Sequence, residues 1–121
     1  MPKTSKKQFK VYIDACQKWI NIFGLKSYRI VFRHTPLGPD TAAQCTWAID
    51  SGTAYLDFNA NIDEDDDFSD CEIKRYALHE VLHLVFGRVH TLAGCRYTTD
   101  DEVNQEFHAL IRLFENVLLG G

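Results

Sequence analysis

The sequence lacks the features that mark several large classes of protein. None of its apolar runs approaches the length needed to span a membrane, and no segment repeats along the 121 residues. Its four cysteines, at positions 16, 45, 71 and 95, include no CxxC pair, which argues against a zinc ribbon and a thioredoxin-like redox site. The net charge of -4 argues against nucleic acid as the main partner, because phosphate binding needs a cationic surface.

What is present is the composition of an ordinary globular domain. Hydrophobic residues make up 45% and charged residues 25%, and the length fits one domain, so we take residues 1–121 as a single unit. Segment 1–10 is polar and basic with no apolar run behind it, so neither a signal peptide nor a membrane anchor is expected. These features predict a cytoplasmic protein whose cysteines are reduced.

The spacing of apolar residues predicts an α+β fold. Helical spacing of three and four alternates with segments rich in β-branched and aromatic residues. The predicted elements are a helix over 5–23, strands over 28–34, 43–50 and 53–59, a helix over 70–86, and a helix from Thr98 or Thr99 to about 119. Ser51-Gly52 predicts a hairpin turn, and Gly87 is placed to end or bend the second helix. We therefore expect a small, mainly antiparallel three-stranded sheet with an N-terminal, a central and a C-terminal helix packed on it.

One motif in the second predicted helix carries recognisable chemistry. His79-Glu80-Val81-Leu82-His83 reads HExxH. Residues four apart lie about 40° apart around a helix and about 6 Å along it, so both imidazoles can reach one ion. Zinc suits two imidazoles with one further ligand, which leaves a fourth position for water. The sequence therefore predicts His79 and His83 as ligands of Zn²⁺, and Glu80 as the general base that takes a proton from that water.

The surroundings of the motif favour a metal site over coincidence. HExxH occurs by chance in roughly 1% of shuffled sequences of this composition, so the match alone is weak. Six apolar residues of the helix fill an arc of about 160°, and the two histidines share the opposite side. The six are Ala77, Leu78, Val81, Leu82, Leu84 and Val85. Two neutral histidines in a core would each need a hydrogen-bond partner, so a shared ion explains the pair better.

Three residues compete for the place of third metal ligand. Glu106 lies on the flank of the apolar stripe of the last helix, where a carboxylate is costly to bury unless it is paired or bound to a metal. Glu102 lies in the first turn of that helix, where it can instead favour the helix dipole or complete a cap. His90 would lie about 10 Å from His83 on a continuous helix, so it can share the ion only if the chain turns back at Gly87. We favour Glu106 and keep the other two as alternatives.

Two segments resemble the zincin superfamily, in particular the small metallopeptidases encoded by phages and prophages. They are ALHEVLHLVFG over 77–87 and EVNQEFHALIRLFENVL over 102–118. The resemblance implies a zincin-like fold, a zinc ion, a peptide or protein substrate and, for a phage protein, action in the host cytoplasm. It also implies a minimal gluzincin, in which the C-terminal helix supplies the glutamate ligand, here Glu106. The metzincin pattern HExxHxxGxxH is not met, because Gly87 and His90 each fall one residue late.

The resemblance extends to substrate binding. In a zincin fold the strand nearest the active-site helix forms the edge of the sheet, which would be 53–59 here, and an extended peptide could add to it as another strand. A transition-state oxyanion would need a hydrogen-bond donor besides the metal. Tyr97 and His90 are favoured for that role over Arg96 and His108.

Peptide-bond hydrolysis is therefore the leading hypothesis, and two others stand beside it. A zinc-dependent nuclease would use the basic N-terminal segment to bind phosphate, but the acidic net charge counts against it. A non-catalytic zincin-like binding or regulatory protein, for example a phage protein that blocks a host factor, would keep the shape without turnover. In a chain this short, a protein partner could also complete the substrate site.

Overall fold

A computed structural model describes residues 3–48, 51–61, 68–93 and 99–119. These residues include six elements of secondary structure. They are helix α1 (Lys6–Phe23), strands β1 (Arg29–Thr35), β2 (Ala43–Ala48) and β3 (Thr53–Asn59), and helices α2 (Asp70–Ala93) and α3 (Asp100–Leu118). The α+β class and the order of elements are as predicted. None of the described helices is both long enough and apolar enough to cross a membrane.

Helix α1 begins and ends where its sequence signals predict. The Ser5 hydroxyl accepts a hydrogen bond from the backbone N–H of Gln8, and the Gln8 side chain accepts one from the N–H of Ser5. This reciprocal capping box satisfies two backbone donors that a helix start leaves unpaired. Gly24 ends the helix in the left-handed conformation, with φ of 66°. The buried stripe of α1 includes Tyr12 and Cys16, both fully buried.

Strand β3 lies in the centre of the sheet, so the prediction that 53–59 forms its edge is wrong. The strand order is β1-β3-β2. Ala54, Leu56 and Phe58 of β3 are fully buried, as expected of a strand flanked by two others and covered by helices. Strand β2 instead alternates between exposed and half-buried residues and forms the edge of the described sheet nearest α2.

The sheet is mixed, so the antiparallel prediction is correct for one of its two strand pairs and wrong for the other. Strands β2 and β3 form the predicted antiparallel hairpin, in which the N–H of Gly52 donates to the carbonyl of Ala48. Gly52 has φ of 67°, which accounts for glycine in this turn. Strand β1 pairs in parallel with β3. The chain reverses once between β1 and β2 and again at the hairpin, so β1 and β3 run in the same direction.

Helix α2 runs unbroken past Gly87, the residue expected to end it, and continues to Ala93. A Cβ atom at Gly87 would lie 3.3 Å from the Tyr28 hydroxyl oxygen and 3.4 Å from Cε2 of Trp47. The missing side chain therefore lets both aromatic residues pack directly on the helix backbone. The prediction of a helix end is wrong because this glycine provides close approach of β2 to α2, not a left-handed cap.

Helix α3 buries only part of its predicted apolar stripe. Leu110 is buried in the common core, which lies between one face of the sheet and the helices. Phe107 and Ile111 are about half exposed, and Leu118 is 82% exposed. These side chains form an accessible apolar surface beside α2.

Candidate metal centre

The two histidines of the HExxH motif point in the same direction from α2. Their Nε2 atoms are 3.3 Å apart, and their ring centroids are 5.0 Å apart with the planes 74° from parallel. Both side chains are exposed to solvent. A tetrahedral ion about 2.05 Å from each of two nitrogen ligands holds those nitrogens about 3.3 Å apart. His79 and His83 are thus spaced to share one ion.

Glu80 lies beside this pair but is buried, with 8% of its surface exposed. Burial raises the pKa of its carboxyl group, while the nearby His79 and His83 act in the opposite direction. A carboxylate with a raised pKa accepts a proton more readily than an exposed one. This environment suits a general base that acts near neutral pH.

A group of weakly polar side chains lies close to Glu80 in the core. Tyr12, Cys16 and Cys45 are near enough to interact electrostatically with its carboxylate. Burial raises the pKa of both thiols to about 12, and burial also raises the pKa of the Tyr12 hydroxyl. All three groups are therefore neutral at neutral pH. They provide Glu80 with a low-polarity environment and no opposite charge.

The motif lies in a cleft between α2 and the edge strand β2. Two cavities, of about 330 and 480 Å³, share Ala43, His79 and Glu80. The first is also lined by Asp40, Thr41, Ala42, Arg75 and Tyr76. The second is also lined by Gln44, Cys45, Trp47, His83, Phe86 and His90. The cleft therefore extends along α2 in both directions from the histidine pair.

His90 lines the cleft but lies too far along the helix to join the pair. Because α2 is continuous at Gly87, the separation of seven positions from His83 to His90 corresponds to about 10 Å along the axis. The turn that would bring His90 back to a shared ion is absent from this helix. Its ring instead packs edge-on against Trp47, with the centroids 6.0 Å apart. His90 is a wall residue of the cleft, where it remains available as a donor to a bound substrate.

The two glutamate candidates occupy different environments on α3. The Glu102 N–H donates to the hydroxyl of Thr99, so Glu102 belongs to the N-terminal cap of the helix. Glu106 is half-buried and has an interaction partner within the protein. Within the described ranges, no three His, Cys, Asp or Glu side chains are close enough together to hold an ion. Glu106 as third ligand therefore stays a prediction.

Of the remaining donors suggested for an oxyanion, the structure describes only His108. His108 is an exposed residue of α3. Tyr97 and Arg96 lie outside the described residues. Of the two candidates that the structure describes, His90 lines the larger cavity and His108 lines neither.

One residue that shapes the cleft was missed in the sequence. Asn59, at the end of β3, is buried, and its side-chain oxygen accepts from the N–H groups of Leu37 and Asn61, each at 3.0 Å. Its side-chain nitrogen donates to the carbonyls of Thr41 at 2.7 Å and Gly38 at 3.4 Å. Asn59 therefore fixes the loop that contributes one wall of the first cavity. A single asparagine among other polar residues gave no signal of this role.

His34 of β1 is half-buried and has a structural role. Its ring stacks on Phe9, with the centroids 4.7 Å apart and the planes 16° from parallel. The Thr4 hydroxyl donates its proton to the carbonyl of Asn59, so His34 Nε2 must donate to the Thr4 oxygen. Burial lowers the pKa of His34.

Comparison with known proteins adds no family assignment. No protein-family model, no curated protein and no solved structure matches this chain. The cleft and its residues are therefore the features from which a function can be inferred.

Proposed function

We propose that this chain is a zinc-dependent hydrolase that cleaves peptide bonds, with His79 and His83 as metal ligands and Glu80 as general base. The observation that supports the proposal best is a pair of imidazoles, 3.3 Å apart, that opens into a cleft beside a strand whose outer edge has no partner within the described sheet. The described cysteines at 16, 45 and 71 are unpaired, in keeping with a reducing cytoplasm as the place of action.

The donor set fits a zinc ion. Two neutral imidazoles are typical zinc ligands, and the separation of their Nε2 atoms matches tetrahedral coordination. Zinc in such a site supplies a Lewis acid that lowers the pKa of water and polarises a carbonyl group. Glu106 remains our candidate for the third ligand.

Glu80 supplies the proton chemistry in this proposal. Its carboxylate takes a proton from water as the water attacks the substrate carbonyl, and then gives that proton to the leaving amine. The buried, low-polarity surroundings raise the pKa of Glu80, which favours its protonated form between these steps. His90 lies about 10 Å along α2 from His83, beyond reach of an oxyanion beside the metal, so it can contact only a more distant part of the substrate.

Strand β2 provides the element that favours a peptide as substrate. Its outer edge is unpaired within the described sheet, and its half-buried residues Ala43, Cys45 and Trp47 line the cleft. An extended peptide can add to such an edge through backbone hydrogen bonds, with alternate side chains directed into the cleft. This role belongs to β2, not to 53–59.

Metal content tests the site. Untagged protein should carry about one zinc per chain by elemental mass spectrometry, and His83→Ala should lose it. His90→Ala is the matched control, because His90 lines the same cleft about 10 Å away. Glu106→Ala should also lose zinc if Glu106 is the third ligand. A folded wild type that takes up no added zinc would overturn the proposal.

Activity separates the enzyme from its alternatives. Zinc-loaded wild type should cleave peptides of a mixed fluorogenic library, and Glu80→Gln should keep its zinc while losing about 10²–10⁴-fold in rate. Cleavage of RNA or DNA but not peptides would indicate a nuclease. Zinc binding without any cleavage, unchanged by Glu80→Gln, would indicate a binding protein.

A further inference from the structure

An apolar groove on α3 adjoins the proposed active-site cleft. It has a volume of about 440 Å³. Its lining consists of Phe86 from α2 and five apolar residues of α3, with Glu115 at the rim. The five are Phe107, Leu110, Ile111, Phe114 and Leu118. The largest contiguous apolar patch exposed on a domain is often a contact site for another molecule.

The groove is long enough to contact several consecutive residues of a partner. Phe107, Ile111, Phe114 and Leu118 are spaced by four, three and four residues, so they form one stripe along the helix. Eleven residues of α-helix span about 16 Å. An extended chain advances about 3.3 Å per residue, so the stripe matches about five residues of a partner.

Phe86 connects the groove to the proposed active-site cleft and so indicates what binds in the groove. It lies three residues after His83 on α2 and lines both the groove and the larger cavity of the cleft. A polypeptide whose scissile bond lies over His79 and His83 therefore passes the groove entrance within one helical turn. A second copy of the chain seated on Phe86 would instead cover that side of the cleft.

We propose that this groove binds an apolar segment of the protein substrate, next to the bond that is cleaved. The inference depends on the proposed hydrolase function and narrows its substrate class to polypeptides with several large apolar residues beside the scissile bond. Such segments are exposed in unfolded or partly folded proteins. Short polar peptides should be poor substrates because they leave the groove empty.

A binding experiment on Glu80→Gln tests the groove without turnover. The probes are a fluorescein-labelled leucine-rich peptide and a counterpart of the same length and charge with serine in place of leucine. We expect the leucine peptide to bind at least tenfold more tightly by fluorescence anisotropy. Adding Ile111→Asn should weaken its binding at least tenfold, and in the active enzyme Ile111→Asn should raise KM with little change in kcat.

Ile22→Asn is the matched control, because Ile22 is 43% exposed against 52% for Ile111 but lies on α1 outside the groove. Leu118→Asn, at a position 82% exposed, provides a second groove variant with little risk to folding. Equal binding of both peptides, or binding unchanged in both groove variants, would overturn the inference. So would a wild-type dimer in sedimentation that Ile111→Asn dissociates, since a second copy would then occupy the groove. Leucine-peptide binding that depends on Ile111, in a protein that takes up no zinc, would refute the hydrolase and leave an apolar binding groove.

Discussion

Asn59→Ala removes the side chain that holds the cleft loop in place. Four hydrogen bonds depend on that amide. The oxygen accepts from the N–H groups of Leu37 and Asn61, and the nitrogen donates to the carbonyls of Gly38 and Thr41. Asn59 is 4% exposed, so alanine would leave a small cavity and four backbone groups without these partners.

The expected loss of stability follows from this count. A net contribution of about 1 kcal/mol per hydrogen bond would give about 4 kcal/mol for all four. The bond to the Gly38 carbonyl is long, at 3.4 Å, and Gly38 is exposed, so water can replace part of what is lost. We therefore expect the free energy of unfolding to fall by about 3 kcal/mol. For a domain of this size that corresponds to a melting temperature lower by about 12 °C.

Urea unfolding followed by circular dichroism measures this loss directly. Asn21→Ala is the control, because Asn21 is an exposed residue of α1 and its replacement should change stability by less than about 0.5 kcal/mol. Zinc binding should survive Asn59→Ala where the protein is folded, since both histidines are on α2. A loss below about 1 kcal/mol for Asn59→Ala would refute the view that this amide anchors the loop.

Two further predictions concern single buried groups. Tyr12→Phe removes a buried hydroxyl whose close polar neighbour is the weakly polar Cys16 thiol, so the free energy of unfolding should change by less than about 1 kcal/mol. A larger loss in thermal unfolding would reveal a stronger partner, and Tyr55→Phe, at a half-buried tyrosine, is the control. His34 has a folded pKa below its unfolded value near 6.5, so the unfolded chain binds the proton first and stability falls as pH drops below about 6.5. His34→Gln should flatten that part of the curve when unfolding is measured in chelator from pH 7.5 to 5, and parallel curves for the two proteins would contradict the assignment.

Features that depend on neighbouring residues were predictable from the sequence. The capping box of Ser5 and Gln8, the left-handed Gly24 and the turn at Gly52 each involve groups within a few residues of one another. Their signals act through local backbone geometry, so tertiary packing has little opportunity to override them. The boundaries of α1 and of the β2–β3 hairpin follow from these signals.

Features that depend on contacts between distant segments were not predictable from the sequence. The parallel pairing of β1 with β3 joins segments separated by a loop and a whole strand, and nothing in either segment encodes its neighbour. Gly87 shows the same difficulty, because its sequence position fits a helix end, and only the close approach of Tyr28 and Trp47 explains a glycine inside the helix. Asn59 is a third case, since its partners become apparent only once the loop is folded over it.

The candidate site also combines features set by neighbouring residues with features set by distant segments. An HExxH helix places two imidazoles on one face by its own periodicity, so any helix carrying the motif can bring them near one another. What the fold adds is the burial of Glu80 and the placement of β2 beside the histidines, and neither follows from the motif. A chance HExxH on a surface helix would have its glutamate in water and no strand edge within reach. The third ligand requires the placement of another element against α2, which is why Glu106 could be named from the sequence but must be tested by metal content.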